Sequence, residues 1–218
     1  MPKLLICSST TLELEPFFRF CQFNVNSPGA IEPVTPKIDV LITGIGIAQS
    51  AFRFAQIPKQ HYQYLIQAGI AGSFSSHLPI GSVCQVTSDQ FSEMGADAPE
   101  GFIPAKDLSL GIDNVFFLQA PSHFPELKFY KAKGITVNTV SGLPKAIQQC
   151  QEQFNPDVET MEGASFAMAC KYLNYNGIQL RAISNRIEAR NTKNWNIPLA
   201  VKNLNTALLD FLKSHHWI

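Results

Sequence analysis

The chain has 218 residues, 45% of them hydrophobic and 16% charged, and its 17 Lys plus Arg balance its 17 Asp plus Glu. That size and balance fit one compact domain spanning residues 1–218 and carry no electrostatic footprint for a polyanion or an anionic membrane surface. The expected partner is a small molecule, with no nucleic acid and no membrane involved.

The first apolar run, Leu4 to Cys7, reads as a strand. Lys3 before it and Ser8, Ser9, Thr10 and Thr11 after it leave it too short for a secretory segment, so a cytoplasmic protein is expected. Leu12 to Phe23 has helical spacing. The strand Val40 to Thr43 ends in Gly44-Ile45-Gly46 and precedes a helix from Ala48 to Ile57. The strand Tyr64 to Ala68 runs into Gly69-Ile70-Ala71-Gly72, and Ser82 to Val86 forms another. Ser92 to Gly111, with its Gly, Ala, Asp and Pro content, reads as a long loop. Then come a strand from Ile135 to Val140, a helix from Leu143 to Phe154 and a short extended piece, Glu159-Thr160-Met161-Glu162-Gly163. That piece leads into a helix from Ala164 to Leu173, followed by a strand from Ile178 to Ile183 and a helix from Pro198 to Lys213. Runs apolar on both faces belong in a sheet covered on both sides, and their alternation with helices predicts a layered α/β domain.

Cys7, Cys21, Cys84, Cys150 and Cys170 are odd in number and never spaced C-x-x-C, so they suggest neither a zinc site nor a redox pair. They read as small buried hydrophobes in a reducing compartment, and no metal or cofactor is expected.

In open α/β sheets ligands sit beyond the carboxyl ends of the strands, which directs attention to the polar and Gly-rich strand ends. Gly44-x-Gly46 lacks the third glycine of a dinucleotide fingerprint and equally makes a tight strand-to-helix turn. Gly69 to Gly72 lets backbone approach either a ligand or a neighbouring strand. Glu162, at the head of a small-residue helix, either binds the paired hydroxyls of a ribose or stabilises its own helix terminus. Glu13 is a general base or a first-turn surface acid. Arg181 lies within an apolar strand, where a carboxylate or polarised water should meet it. Asn185 follows that strand as a reader of a heterocycle edge or as an Asx-turn residue.

Taken together these segments resemble the purine nucleoside phosphorylase and nucleosidase superfamily, in particular the hydrolases of methylthioadenosine and adenosylhomocysteine. Lys3-Leu4-Leu5-Ile6 with Glu13 resembles the family's first strand and acid, and Thr43-Gly44-Ile45-Gly46 its Gly-Ile-Gly turn. Ala68 to Gly72 followed by Ile80-Gly81-Ser82-Val83 resembles its Gly-x-Ala-Gly and Gly-Asp-x-Val pair. Met161-Glu162-Gly163-Ala164 resembles its ribose motif, and Arg181-Ala182-Ile183-Ser184-Asn185 its Arg-x-Ile-Ser-Asp motif. The resemblance implies a three-layer phosphorylase/hydrolase-like fold with a central mixed sheet flanked by helices. Within the superfamily, Ile183 to Arg190 with Trp195, Glu159 to Gly163, and Gly95-Ala96-Asp97 with Gly101-Phe102 resemble signatures of futalosine hydrolases, enzymes of an alternative menaquinone pathway.

Adenine-specific relatives carry Asp where this chain has Asn185, and chemistry supplies a reason. A 6-oxopurine presents a carbonyl acceptor that an ionised Asp would repel and an amide NH2 would bind. Gln67 and Ile70 stand where phosphorylases supply an Arg and a Ser to phosphate, and Glu13 adds a negative charge there, so water is favoured as nucleophile. The resemblance therefore implies that Glu13, Arg181 and Asn185 are catalytic, that Met161 and Glu162 hold the ribose, and that Ser184 and Asn185 assist the base. It also implies that the Gly72 backbone lies near substrate, and that Arg186 or Arg190 meets the 5′ benzoate of futalosine. The product would be dehypoxanthine futalosine. Relatives are homo-oligomers, so a homodimer or larger homo-oligomer is implied. The competing readings are a methylthioadenosine, adenosylhomocysteine or aminofutalosine nucleosidase, and a noncatalytic nucleoside-binding protein. For the base-stacking aromatic, Phe91, Phe102 and Trp195 are the candidates.

Overall fold

The computed structural model describes residues 3–99, 101–109, 111, 113–118 and 129–218. In chain order the elements are β1 (Leu4–Ser8), a 3-10 turn (Leu12–Leu14), α1 (Glu15–Phe20), β2 (Ile31–Thr35), β3 (Ile38–Ile42), α2 (Ile47–Phe54) and β4 (Tyr64–Ser73). They continue with β5 (Val83–Phe91), β6 (Gly95–Ala98), β7 (Gly101–Pro104), β8 (Val115–Phe117), β9 (Tyr130–Thr136) and α3 (Pro144–Phe154). The last are β10 (Val158–Thr160), α4 (Gly163–Leu173), β11 (Gly177–Arg186) and α5 (Ile197–Ser214). Among the described residues nine strands form one mixed sheet in the order β10-β9-β5-β11-β4-β1-β3-β2, with β8 beside β5. β10 also pairs antiparallel with the far end of β4, Val158 opposite Ser73 and Glu159 opposite Gly72. The strands β4, β11, β5, β9 and β10 therefore close on themselves, which carries Glu159 and its neighbours to the end of β4.

β1 and β3 are buried at every position, as expected of strands covered on both faces. Side chains alternate between the faces because a strand repeats every two residues. Leu4 and Ile6 enter a core with Leu14 and Phe17 and with Leu204 and Leu208 of α5, whereas Leu5 and Cys7 join Phe54 of α2 and Phe166 of α4. Each such buried large apolar side chain contributes about 1.5–3 kcal/mol. On β4 and β11 the same alternation sends Ile66, Ala68, Leu180 and Ala182 to the α5 core. Gln67, Gly69, Gln179 and Arg181 consequently turn toward α4, and this polar face of the central strands backs the site described below.

Several elements differ from the sequence reading. The long loop expected from Ser92 to Gly111 contains the β6–β7 hairpin, a separate two-stranded sheet whose segments, GADA and GFIP, are too short to carry a readable period. β2 was hidden by Pro33, which is tolerated because β2 is the edge strand beside β3. The strand expected at Ile135 to Val140 instead runs from Tyr130 to Thr136, sharing only Ile135 and Thr136 with the expected span, because exposed lysines alternating with buried residues hide its first half. The helix expected from Leu12 to Phe23 is reduced to the 3-10 turn and α1, while β4 and β11 run on through the glycine-rich and Ser184-Asn185 segments. Among the described residues no helix is long and apolar enough to cross a membrane.

Candidate active site

The carboxyl ends of β1, β4 and β11, the β10–α4 junction and the turn before α2 converge on a cavity of about 400 Å³, the size of a small-molecule pocket. Glu13, Gly72, Met161, Glu162, Ser184, Asn185 and Arg190 all line it, although they are up to 177 residues apart in sequence.

Glu13 sits in the 3-10 turn after β1 and is buried. Its Oε2 accepts from Ser8 Oγ (3.1 Å), Thr10 N (3.0 Å) and Thr10 Oγ1 (3.0 Å), and its Oε1 accepts from Ile70 N (3.0 Å). Oε2 is thereby committed to the protein while Oε1 retains acceptor capacity. The turn itself is anchored from the other end of the chain: Asn205 of α5 donates to Glu13 O (2.8 Å) and accepts from Phe17 N (3.0 Å). Asn205 had no signal in the sequence, because a buried amide inside an amphipathic helix looks like any surface polar residue.

A β-bulge positions the next pair. Along β11 and β4, Ile183 stands opposite Ala71 and Asn185 opposite Gly72, so Ser184 is an extra residue that turns this strand end toward the cavity. Ser184 Oγ donates to Asn185 Oδ1 (2.8 Å) or Ala71 O (3.2 Å), and Asn185 Nδ2 donates to Arg186 O (3.0 Å). The Arg186 carbonyl can only accept, which fixes which end of the amide is the NH2 and leaves Nδ2 a second proton.

Glu162 is the residue before α4 and is buried at 5% exposure, with Oε1 accepting from Gly46 N at 2.8 Å. Gly44 and Gly46 have φ of +81° and +92°, so the Gly-x-Gly segment is a tight turn that only glycine enters easily, and it aims a backbone amide at Glu162. Burial raises the Glu162 pKa, opposed by the positive charge of Arg181 and the Gly46 amide. Arg181 does not line the cavity. It packs, 1% exposed, behind Gly69, and a Cβ on that glycine would lie against Arg181 Nη1 and 2.9 Å from Glu13 Oε1. Its Nε and Nη2 meet no protein hydrogen-bond partner, and of the carboxylate or polarised water expected to meet it, the carboxylates of Glu162 and Asp89 feel its charge through space. Gln67 is likewise buried away from the cavity wall.

The two arginines expected near a 5′ substituent part company. Arg186 donates to Ser73 Oγ (3.3 Å), Phe74 O (3.1 Å) and Ser75 O, holding the turn after β4 and standing outside the cavity lining. Arg190 lines the cavity with its Cζ 5.4 Å from the centre of the Trp195 ring. Of the candidate aromatics, Trp195 lines the cavity, Phe91 packs in the core against Phe116, and Phe102 lines a neighbouring cleft. The sequence reading missed Glu159 and Ser141 as wall residues. Glu159 accepts from Ser141 N (2.9 Å) and Ser141 Oγ (2.5 Å), pinning the loop after β9 to the cavity rim.

The family model described as Phosphorylase superfamily matches residues 33–213. The chain belongs to that superfamily. The phosphorylase-superfamily relatives include the futalosine hydrolase of Acidothermus cellulolyticus, 31% identical over 79% of this chain and 74% of that protein. The futalosine hydrolase of Streptomyces coelicolor is 26% identical over 78% of this chain and 76% of its own length. Among solved structures, a Helicobacter pylori MTAN mutant with 5′-methylthioadenosine in its active site superposes with a TM-score of 0.79 at 18% identity, covering 98% of this chain and 99% of that one. The phosphorylase-superfamily fold, a mixed α/β sheet flanked by helices, is thus common to both.

Proposed function

We propose that this chain hydrolyses the N-glycosidic bond of futalosine, releasing hypoxanthine and leaving dehypoxanthine futalosine, a step of menaquinone biosynthesis. The observation that carries the reading is the orientation of Asn185, whose Nδ2 is held by Arg186 O at 3.0 Å with one proton left for the ligand. An amide donor fixed at the cavity wall suits the carbonyl or N7 of a 6-oxopurine, and a carboxylate there would face both that carbonyl and Arg186 O with lone pairs. The names of the two sequence relatives point the same way.

In this mechanism Glu13 Oε1 orients and deprotonates the attacking water while Oε2 stays locked by Ser8 and Thr10. Glu162, ionised, accepts from the ribose hydroxyls and offsets positive charge growing on the sugar, and Met161 packs against it. The charge of Arg181 opposes the burial that raises the Glu162 pKa, and so favours its ionised form. Asn185, steadied by Ser184, stabilises the departing base. The Gly72 backbone lies alongside, and Arg190 receives the carboxylate of the 5′ arm beside Trp195. Leu12 and Ile45 line the cavity yet are 56% and 55% exposed, an apolar rim that a second copy of the chain would cover, which supports a homodimer or larger homo-oligomer. Residence in the cytoplasm fits the same reading.

The test is chromatography of the reaction with futalosine, with and without phosphate, alongside its 6-amino counterpart. Hypoxanthine released equally with and without phosphate is expected. Faster adenine release from the amino substrate overturns the 6-oxopurine assignment, and phosphate-dependent release overturns hydrolysis.

A further inference from the structure

A carboxylate at the head of a helix ordinarily folds back onto the helix's first amides, which lack intrahelical partners. Glu162 does not. Although it precedes α4, its side chain makes no capping bond and reaches instead across to Gly46 N. The first two amides of α4 are taken by other residues: Gly163 N donates to Thr160 Oγ1 (3.1 Å) and Ala164 N to Thr136 Oγ1 (2.7 Å).

Those two hydroxyls lie 3.2 Å apart, and the proton directions follow from what surrounds them. Thr136 Oγ1 gives its only proton to Asp89 Oδ1 at 2.8 Å. The Thr160 proton therefore goes to Thr136, which then accepts from Thr160 and Ala164 together, its full complement. Asp89 is completely buried, and its second oxygen accepts from Gln179 Nε2 at 3.0 Å. An acceptor-only group at the root of the chain makes every hydroxyl above it face α4 with lone pairs.

We infer that Thr136 is a positioning residue for Glu162: backed by Asp89, its hydroxyl caps α4 and so releases the Glu162 carboxylate to face the cavity. None of the three side chains Asp89, Thr136 and Gln179 lines the cavity, so the effect is transmitted through the α4 backbone. The inference rests on the ribose-binding part assigned above to Glu162.

The experiment compares kcat/KM of the full chain for futalosine and for its 2′-deoxy analogue, which lacks a hydroxyl that Glu162 would bind. The ratio of the two reports how well Glu162 is aimed. Thr136→Val keeps the shape and removes the hydroxyl, and it is expected to lower the ribo-to-deoxyribo ratio about tenfold, short of the ~100-fold that a full ångström of misplacement can cost. Thr136→Ser, which restores the hydroxyl, should stay within about twofold of the parent. Asp89→Leu, which removes the acceptor that directs the Thr136 proton, should repeat the loss. Equal slowing of both substrates by Thr136→Val, with the ratio unchanged, overturns the positioning role. Glu162→Gln is measured in parallel. If it lowers the ratio while Thr136→Val does not, only the positioning fails; if it leaves the ratio unchanged, the ribose assignment falls and this inference with it.

Discussion

Replacing Asn185 by Asp exchanges one heavy atom, Nδ2 for an oxygen, in a residue only 8% exposed. The native amide satisfies Arg186 O through Nδ2 at 3.0 Å and accepts from Ser184 Oγ at 2.8 Å. A carboxylate keeps the second bond and turns the first into oxygen against oxygen. The same loss is repeated at the base, where the remaining Nδ2 proton no longer meets a 6-oxo group. Each mispaired buried polar group costs about 1–3 kcal/mol. The mispairing at Arg186 O falls on the protein whether or not ligand is bound, so it lowers stability. The mispairing at the base falls on the reaction and corresponds to about 5- to 150-fold in kcat/KM for the 6-oxopurine. Protonation of the new Asp would allow donation to N7 of an adenine while its other oxygen accepts from the 6-amino group. The assay is therefore kcat/KM for hypoxanthine release from futalosine and adenine release from the matched amino substrate. The oxo-to-amino ratio should fall by the factor given, with the loss concentrated on the oxo substrate. A variant whose ratio stays within twofold of the parent would refute the assignment of Asn185 as the reader of the purine 6-position.

Arg190→Gln should raise KM for futalosine about tenfold with kcat little changed, because a charge-assisted contact far from the glycosidic bond is uniform binding; an equal rise for the carboxyl-esterified substrate would exclude a carboxylate contact. Burial raises the Asp89 pKa from its ordinary 3.8 to about 6 in the folded chain, so the folded state holds that proton more tightly than the unfolded one. Stability contributed by this proton is present below about pH 4 and lost as pH rises through about 6, up to about 3 kcal/mol. Melting curves between pH 4 and 7 should show Asp89→Asn gaining on the parent as pH rises, and parallel curves would reject the shift. For Glu162, raised by burial, kcat/KM should fall on the acid side at a pH above the ordinary carboxylate value of 4.5, since the protonated acid loses its acceptor role; Glu162→Gln should remove that limb from the profile.

Fully apolar runs such as Leu4 to Cys7 and Val40 to Ile42 determined by themselves that the chain makes buried strands, because a segment with no polar face has no other stable place. The strand ends where chemistry belongs, and the residue types at those ends, were legible in the same way: Glu13, Glu162 and the Ser184-Asn185 pair are polar groups at the edges of apolar segments. What those groups touch depended on register and closure, which no local pattern encodes. Only the pairing of β10 with β4 carries Glu159 to Gly72, and only the bulge opposite Ala71 and Gly72 turns Asn185 to the cavity. Arg181 and Arg190 illustrate the limit. Both are cations in or after one strand, yet the two-residue alternation buries the first behind Gly69 and the loop beyond β11 sets the second against Trp195. The capping of α4 by Thr136 is the extreme case: a threonine within a strand reads as ordinary β-structure, and its hydroxyl acquires a task only when Asp89 and Ala164, 47 and 28 residues away, are brought to it by the folded sheet.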